Sequence, residues 1–246
     1  MPSIQFGKNP AKHDYRTLRI KNYLSGAIAP PPTSYDVLPA VYQELGVTDP
    51  KILFPMDGND SLQDCTIAAV AHATTIFQGL SGVNNIMSVQ NVIKLYYQFT
   101  KGLNVGLNEL DVLNYWKDNS VSGEQILAFV SIDPKNHIHV EQSIKLFGGV
   151  YLGFHVQQAC ENDFKNGRNW TPGPLINEGH AVFATGYDLN QVTVLTWGQT
   201  QNGTWDWWDE CVDEVYAVVP ASARSWTFPI GFDFEQLLSD LAEVSN

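Results

Sequence analysis

The run CTIAAVAHATTIF, residues 65–77, constrains the fold of this chain more than any other stretch. It is rich in alanine and apolar on almost every side, so as a helix it has no polar face to turn toward water. The rest of the chain has to be wrapped around it. Asp64 stands in front as a natural N-cap, and the preceding GNDSLQD is turn chemistry. The fold is therefore expected to enclose a central helix whose first residue is a cysteine.

Two roles suit Cys65. At a helix N-terminus the free backbone N–H groups and partial positive charge favour the thiolate, which is the nucleophilic form. A small thiol under an alanine-rich helix is equally a common buried core residue. The nucleophilic role requires a histidine from elsewhere. His72 lies two turns along the same helix, about 10 Å away by helix rise. His137 and His139 flank a helix start, without the carboxylate or cysteine spacing that would complete a metal site. His155 lies in an apolar strand. His180 opens the strand AVFATGYD directly after Gly179, where a strand end can present it at a cleft edge, and it is the candidate base.

The remaining pattern divides the chain. Residues 1–57 read as an arm with little regular structure: one or two helical turns around Tyr15–Leu24 and an extended Pro30-Pro31-Pro32. It is a wrapping segment or an inhibitory pro-segment, and no cleavage site marks it as the latter. Residues 58–220 form the main domain. Its half 58–120 is helical, with Ser88 capping a helix through Phe99 and a further helix suggested by Leu107, Leu110, Leu113 and Trp116. Its half 121–220 is β-rich: QILAFVSID, VYLGFHV and EVYAVV read as strands, HVEQSIKLF as a short helix ended at Gly148-Gly149, and GHAVFATGYD and QVTVLTWG as a hairpin turning at Leu189-Asn190. TWDWWDECVDE reads as a strand or loop that buries indoles or walls an aromatic groove. In the tail, 221–246, Asp233 caps a helix with Gln236 at the reciprocal position and an apolar stripe at Phe234, Leu237, Leu238 and Leu241. The fold class is α+β.

A formal charge of −12 without a basic cluster argues against nucleic-acid and membrane-surface partners. The N-terminal MPSIQFGKNPAKHDYR lacks the apolar core of a secretory signal, so a soluble, cytoplasmically made protein is expected. Cys65, Cys160 and Cys211 are too few and too scattered for a disulfide framework or a zinc set, and free thiols are expected, with no cofactor.

The order of these features resembles the papain-like cysteine peptidases: a polar loop, a cysteine opening a long central helix, a helical half, and a β half that begins GHAV and runs through a hairpin to VTVLTWG. The resemblance covers roughly residues 55–220 and implies a helical subdomain with the Cys65 helix facing a twisted antiparallel sheet that carries His180. It implies that Cys65 attacks an amide carbonyl and His180 shuttles the proton. A carboxamide six residues before the cysteine helps bind the oxyanion, and that position is Asn59, one methylene shorter than the family's glutamine. Trp197 matches the family's shielding indole.

Two departures follow. The family's orienting asparagine, two residues before the Trp-Gly tryptophan, falls on Leu195, which cannot hydrogen-bond. The neighbouring Thr196 faces the other side of a regular strand and reaches His180 only across a bulge. The residues Leu62 and Asp64 replace the family's loop signature, and Asp64 sets a negative charge beside the thiol. The pattern of DVLNYW, AFVSIDP, LFGGVYLG and DEVYAVV is also similar to a poorly characterised group of papain-like proteins of bacteria and their phages. The implied function is a cysteine-dependent amide-bond hydrolase acting on protein or on peptidoglycan peptide. The competing implication is a catalytically inactive scaffold that binds neighbouring subunits, as in a virion. A transglutaminase-like transferase fits less well, because QVTVLTWG holds no aspartate.

Overall fold

Cys65–Leu80 forms a 16-residue helix in which every residue but the last is buried, as an apolar-all-round sequence demands. The computed structural model describes residues 4–244, and everything else in it is arranged about this helix. In chain order the elements are β1 Tyr35–Asp36, α1 Leu38–Leu45, α2 Pro50–Leu53, α3 Cys65–Leu80, α4 Val89–Thr100, α5 Glu109–Asp118, β2 Ile126–Ile132, α6 His137–Phe147, β3 Val150–Gln157, α7 Cys160–Lys165, β4 Leu175–Tyr187, β5 Gln191–Thr196, β6 Gln199–Thr204, α8 Trp205–Cys211, β7 Val212–Pro220 and α9 Phe234–Val244. The strands form an antiparallel sheet of order β2-β7-β3-β4-β5-β6, with β1 pairing the far end of β4.

The sheet separates two cores. On one face Tyr151, Phe183, Leu195 and Tyr216 meet Ile76 and Phe77 of α3 and the helices around it. Tyr151 Oη donates to the Thr66 carbonyl at 3.0 Å, pinning the start of α3 to β3. The other face carries Leu152, Phe154, Val182 and Val194 under α6 and α8, and the tail helix docks there through Leu237. Asp233 caps that helix through the Gln236 N–H, at 2.9 Å. The reciprocal bond expected from Gln236 is not made: its side chain donates instead to Asp240, one turn on.

Three expectations are corrected. The arm is only partly irregular: residues 35–54 belong to the folded body, with Val41 and Leu53 buried in the α3 core. The periodicity was present in LPAVYQEL, where Leu38, Val41 and Leu45 share one face, with a proline in the first turn and Gly46 in the left-handed conformation after the last. TWDWWDEC is a helix, because Thr204 Oγ1 accepts from the Trp207 N–H and Trp207, Trp208 and Cys211 fall on one buried face. Trp207 and Trp208 belong to the core, and Trp205 packs partly buried against it. Asp64 does not cap α3 through its side chain. Its carboxylate turns back to accept from the Gly58 N–H and from Asn59 Nδ2, both at 3.0 Å, satisfying donors of the buried loop before the helix.

Residues 4–34 hold isolated bridges, turns and a 3-10 turn at Ile20–Asn22, with no longer regular element. They wrap the body. Leu18 accepts from the Ser131 N–H on β2, and Tyr23 Oη donates to Asp240 of α9. No helix among the described residues is long and apolar enough to cross a membrane.

Candidate active site

Cys65 is the first residue of α3, and its thiol receives the backbone N–H of Ala181, the residue after His180. The helix start and the start of the buried part of β4 therefore meet at one seam. His180 Nε2 lies 2.9 Å from Thr196 Oγ1. Its other nitrogen, Nδ1, has no hydrogen-bond partner among the described residues. Trp197 stacks on the imidazole at 4.7 Å and 29°, while Phe6 and Phe154 close on the ring edge-to-face.

The contact from Thr196 to His180 is made possible by a bulge. Near the hairpin turn Tyr187 pairs with Val192 and Gly186 with Thr193; beyond Thr185 the register slips by one, so that Ala184 pairs with Val194 and Phe183 with Leu195. That slip exchanges the faces of β5 relative to the rest of β4. Leu195 is thereby turned into the α3 core beside Phe183, and Thr196 shares a face with Val182 and His180. Trp197 and Gly198 then make the two-residue turn into β6, both with positive φ, 49° and 82°. A tryptophan held in that conformation is unusual, and here it delivers the indole onto the histidine.

The cleft between the two halves is occupied by the chain itself. The Gln5 N–H donates to the Asn59 carbonyl at 2.7 Å, the Leu107 N–H to Gly7 at 2.8 Å, the Lys8 N–H to Gly179 at 3.0 Å and the Asn9 N–H to Leu107 at 2.8 Å. Residues 5–9 thus run as an extended peptide bonded to both walls, and the Gly7 N–H reaches the Cys65 thiol. Only glycine fits there: a Cβ on residue 7 would lie 2.1 Å from the Gln63 carbonyl oxygen. Under this strap Cys65 and His180 are each 1% exposed.

Burial sets the protonation of the pair. It pushes the Cys65 thiol up to about 12, against the two backbone N–H groups that favour the thiolate. It holds the His180 imidazolium down to about 3, with His72 adding repulsion. In this covered state both groups are neutral at pH 7. Asp64 is raised to about 7, by burial and then by the charge of Asp57, against the N–H groups it accepts.

The sign of the stability effect differs between the two residues. A histidine whose folded value is depressed from 6.5 to about 3 contributes stability above the unfolded value that is lost as pH falls toward 3. An aspartate raised from 3.8 to about 7 opposes folding progressively as pH rises across that interval. Denaturant titrations of the native chain and of His180→Gln at pH 7 and pH 4 separate them: the variant is expected to lose less stability on acidification, by about 3 kcal/mol. Equal losses would show that His180 is not held neutral.

The remaining site residues divide. Asn59 is 3% exposed and both its amide hydrogens are committed within the loop, to Asp64 Oδ1 at 3.0 Å and to the Met56 carbonyl at 3.2 Å. His72 faces Pro55 and Asp57, His137 pairs with Asp209, and His155 is exposed at the sheet surface. Cys160 and Cys211 are free and buried. Sequence reasoning missed Phe6, Gly7 and Lys8 of the strap and the carboxylates of Glu109, Asp213 and Glu214, among which Lys8 ends. The visible signal was two consecutive acids inside an apolar strand, VDEVYAVV, for which no surface alternation accounts.

No protein-family model matches the sequence, and no curated protein matches it. Solved structures do match. Xylellain, a cysteine protease from Xylella fastidiosa, superposes with a TM-score of 0.63 at 14% identity, over 88% of this chain and 96% of that one. Digestive procathepsin L 3 of Tenebrio molitor larval midgut gives 0.56 at 10% identity, over 83% and 76%. The cysteine protease and lectin-like domains of Cwp84, a surface layer associated protein of Clostridium difficile, give 0.55 at 15% identity, over 87% and 55%. The chain has the papain-like α+β fold.

Proposed function

We propose that this chain is a cysteine-dependent amide-bond hydrolase, held latent by its own N-terminal strap. One observation carries the reading: a cysteine opens the central helix and accepts the backbone N–H of the residue after a histidine steadied by Thr196 and Trp197, under a strap that lies extended and bonded to both walls. Displacing the strap admits water and a substrate peptide. Loss of burial lowers the thiol and raises the imidazole, and the α3 N-terminus favours the resulting thiolate–imidazolium pair.

In the reaction the Cys65 thiolate, its proton already on His180, adds to the substrate carbonyl carbon. The carbonyl oxygen becomes an oxyanion facing the Cys65 N–H. Collapse breaks the C–N bond, the imidazolium gives its proton to the leaving amine, and a thioester remains on Cys65. His180 then takes a proton from water as the water oxygen attacks the thioester carbonyl; the C–S bond breaks, the carboxylic acid leaves, and Cys65 departs as thiolate beside the imidazolium, which restores the starting pair. Thr196 acts through the imidazole as a positioning residue, the part that Leu195 cannot play. Asn59 joins the oxyanion site only if it exchanges its bond to Asp64 or Met56, and its present contacts favour a part in shaping the loop.

The competing reading, a non-catalytic subunit that reaches its neighbours with arm and tail, has less in its favour. Both segments are docked on their own body, the arm through the cleft and the tail helix through Leu237. The substrate class is a peptide amide, from protein or from peptidoglycan. Hydrolysis of a mixed peptide-amide library by the full chain carrying Gly7→Val, which loosens the strap, tests the proposal. Turnover that disappears in both Cys65→Ala and His180→Gln is expected; turnover surviving Cys65→Ala would overturn it.

A further inference from the structure

Lys8 is the residue next to the one that crosses the thiol, and its side chain, 2% exposed, is directed inward. Its ammonium lies 2.9 Å from Asp213 Oδ2 and 2.9 Å from Glu214 Oε1, both on β7. Glu109, the first residue of α5, completes the pocket: it is fully buried, and neither of its oxygens has a hydrogen-bond partner among the described residues. The space exists because β3 has a glycine there. A Cβ on Gly153 would lie 1.8 Å from Lys8 Cε and 2.6 Å from Glu109 Oε1.

Three carboxylates around one buried cation are more than the cation needs. Burial alone would lower the Lys8 ammonium, yet the surrounding acids outweigh it and the net displacement is upward. Glu109 is driven well up from the ordinary carboxyl range, by burial and then by Glu214, against the pull of Lys8. A buried carboxyl with no partner is costly and is not required to hold the strap in place, which its backbone bonds already do. Acceptors contributed by two elements, α5 and β7, can receive a guanidinium as well as an ammonium.

We propose that the Glu109–Gly153–Asp213–Glu214 pocket is a specificity site that takes a lysine or arginine side chain of the substrate peptide, and that Lys8 fills it in cis. Resting on the hydrolase reading, this narrows the substrate class to peptides with a basic side chain next to the residue over Cys65. A peptide entering along the path of the strap presents its cation to Asp213 and Glu214 while its backbone pairs with Leu107 and Gly179.

Binding tests this independently of catalysis. The full chain carrying Gly7→Val, Lys8→Ala and Cys65→Ala has its strap loosened, an empty pocket and no nucleophile. Fluorescence anisotropy is read with labelled hexapeptides of the strap sequence IQFGKN, and with the same peptide bearing arginine, leucine or glutamate in place of the lysine. The lysine and arginine peptides are expected to bind about tenfold or more tightly than the leucine peptide, and the glutamate peptide most weakly. Adding Asp213→Asn and Glu214→Gln should reduce the preference to about twofold. Equal binding of all four, a preference that survives those two substitutions, or no binding of any of them would overturn the pocket. Lys8→Ser, whose short side chain leaves the pocket open, repeats the test should the alanine variant fold poorly. Failure of the hydrolase reading appears elsewhere, as absent turnover with this binding pattern intact.

Discussion

Iodoacetamide is expected to label none of the three cysteines of the native chain quickly at pH 7.5, and to label Cys65 alone once the strap is loosened. All three thiols are buried: Cys65 and Cys211 are pushed up to about 12 by burial, and Cys160 is raised for the same cause. Alkylation requires the thiolate and access. The difference between them lies in what covers them. Cys160 and Cys211 are enclosed by the sheet's outer core, whereas Cys65 is roofed by residues 6–8. Gly7→Val drives a side chain into the Gln63 carbonyl and Phe6→Ala removes the ring against His180 and Trp197, so each detaches the roof with the core left intact. Peptide mapping by mass spectrometry should show Cys65 modified at least about 100-fold faster in Gly7→Val than in the native chain, since about one kcal/mol of covering free energy already changes access severalfold and the strap holds four backbone bonds and two ion pairs. Cys160 and Cys211 should be unchanged. Equal acceleration of all three would mean that the variant has lost its fold instead of its strap.

The second large effect concerns Thr196. With the strap loosened, Thr196→Val keeps the shape of the side chain but leaves His180 Nε2 without its partner, freeing the ring to rotate and to change tautomer. Loss of kcat by about 10- to 100-fold is expected with KM little altered, because the residue touches the imidazole and not the substrate. Thr196→Ser should restore most of the rate. The pH profile gives the readout that a general loosening would not give: the limb assigned to His180 is displaced in Thr196→Val and returns in Thr196→Ser. A uniform loss of rate at every pH in both variants would show that Thr196 only fills space.

Much of this arrangement could be read from residues alone. The central helix was legible because an apolar sequence with no polar face has only one place to go. The cysteine was legible because it sits at the head of a regular element; the histidine was legible from the Gly-His-Ala-Val run, although it lies within β4, which begins at Leu175, and does not open the strand. The identity of the group beside the histidine was not, since it depends on one extra residue in β4: the slip at Thr185 turns Leu195 away from His180 and Thr196 toward it. A period-2 reading of QVTVLTWG cannot register a bulge in its partner strand. Asp64 was misjudged for a related reason, because capping preference describes a local contest and the buried Gly58–Asp64 loop offered its carboxylate other donors. The strap was the least legible of all. Residues 4–9 have no periodicity, and what fixes them is contact with residues 59, 107 and 179, all distant in sequence.

The neutral, covered pair and the exposed-on-release thiol make opposite demands on the same residues, and the strap reconciles them: it buries the thiol with backbone N–H groups in place and fills the acidic pocket with a cation. The direct check on the hydrolase reading is the chemical state of Cys65 during turnover. The full-length Gly7→Val chain is mixed with a peptide ester carrying lysine next to its reacting residue, quenched in acid within the first turnovers, and read by intact mass and peptide mapping. The account predicts an acyl group on Cys65 as a thioester, formed in a burst, decaying with water and absent from His180→Gln. An unmodified Cys65 in a chain whose thiol iodoacetamide reaches freely would contradict it.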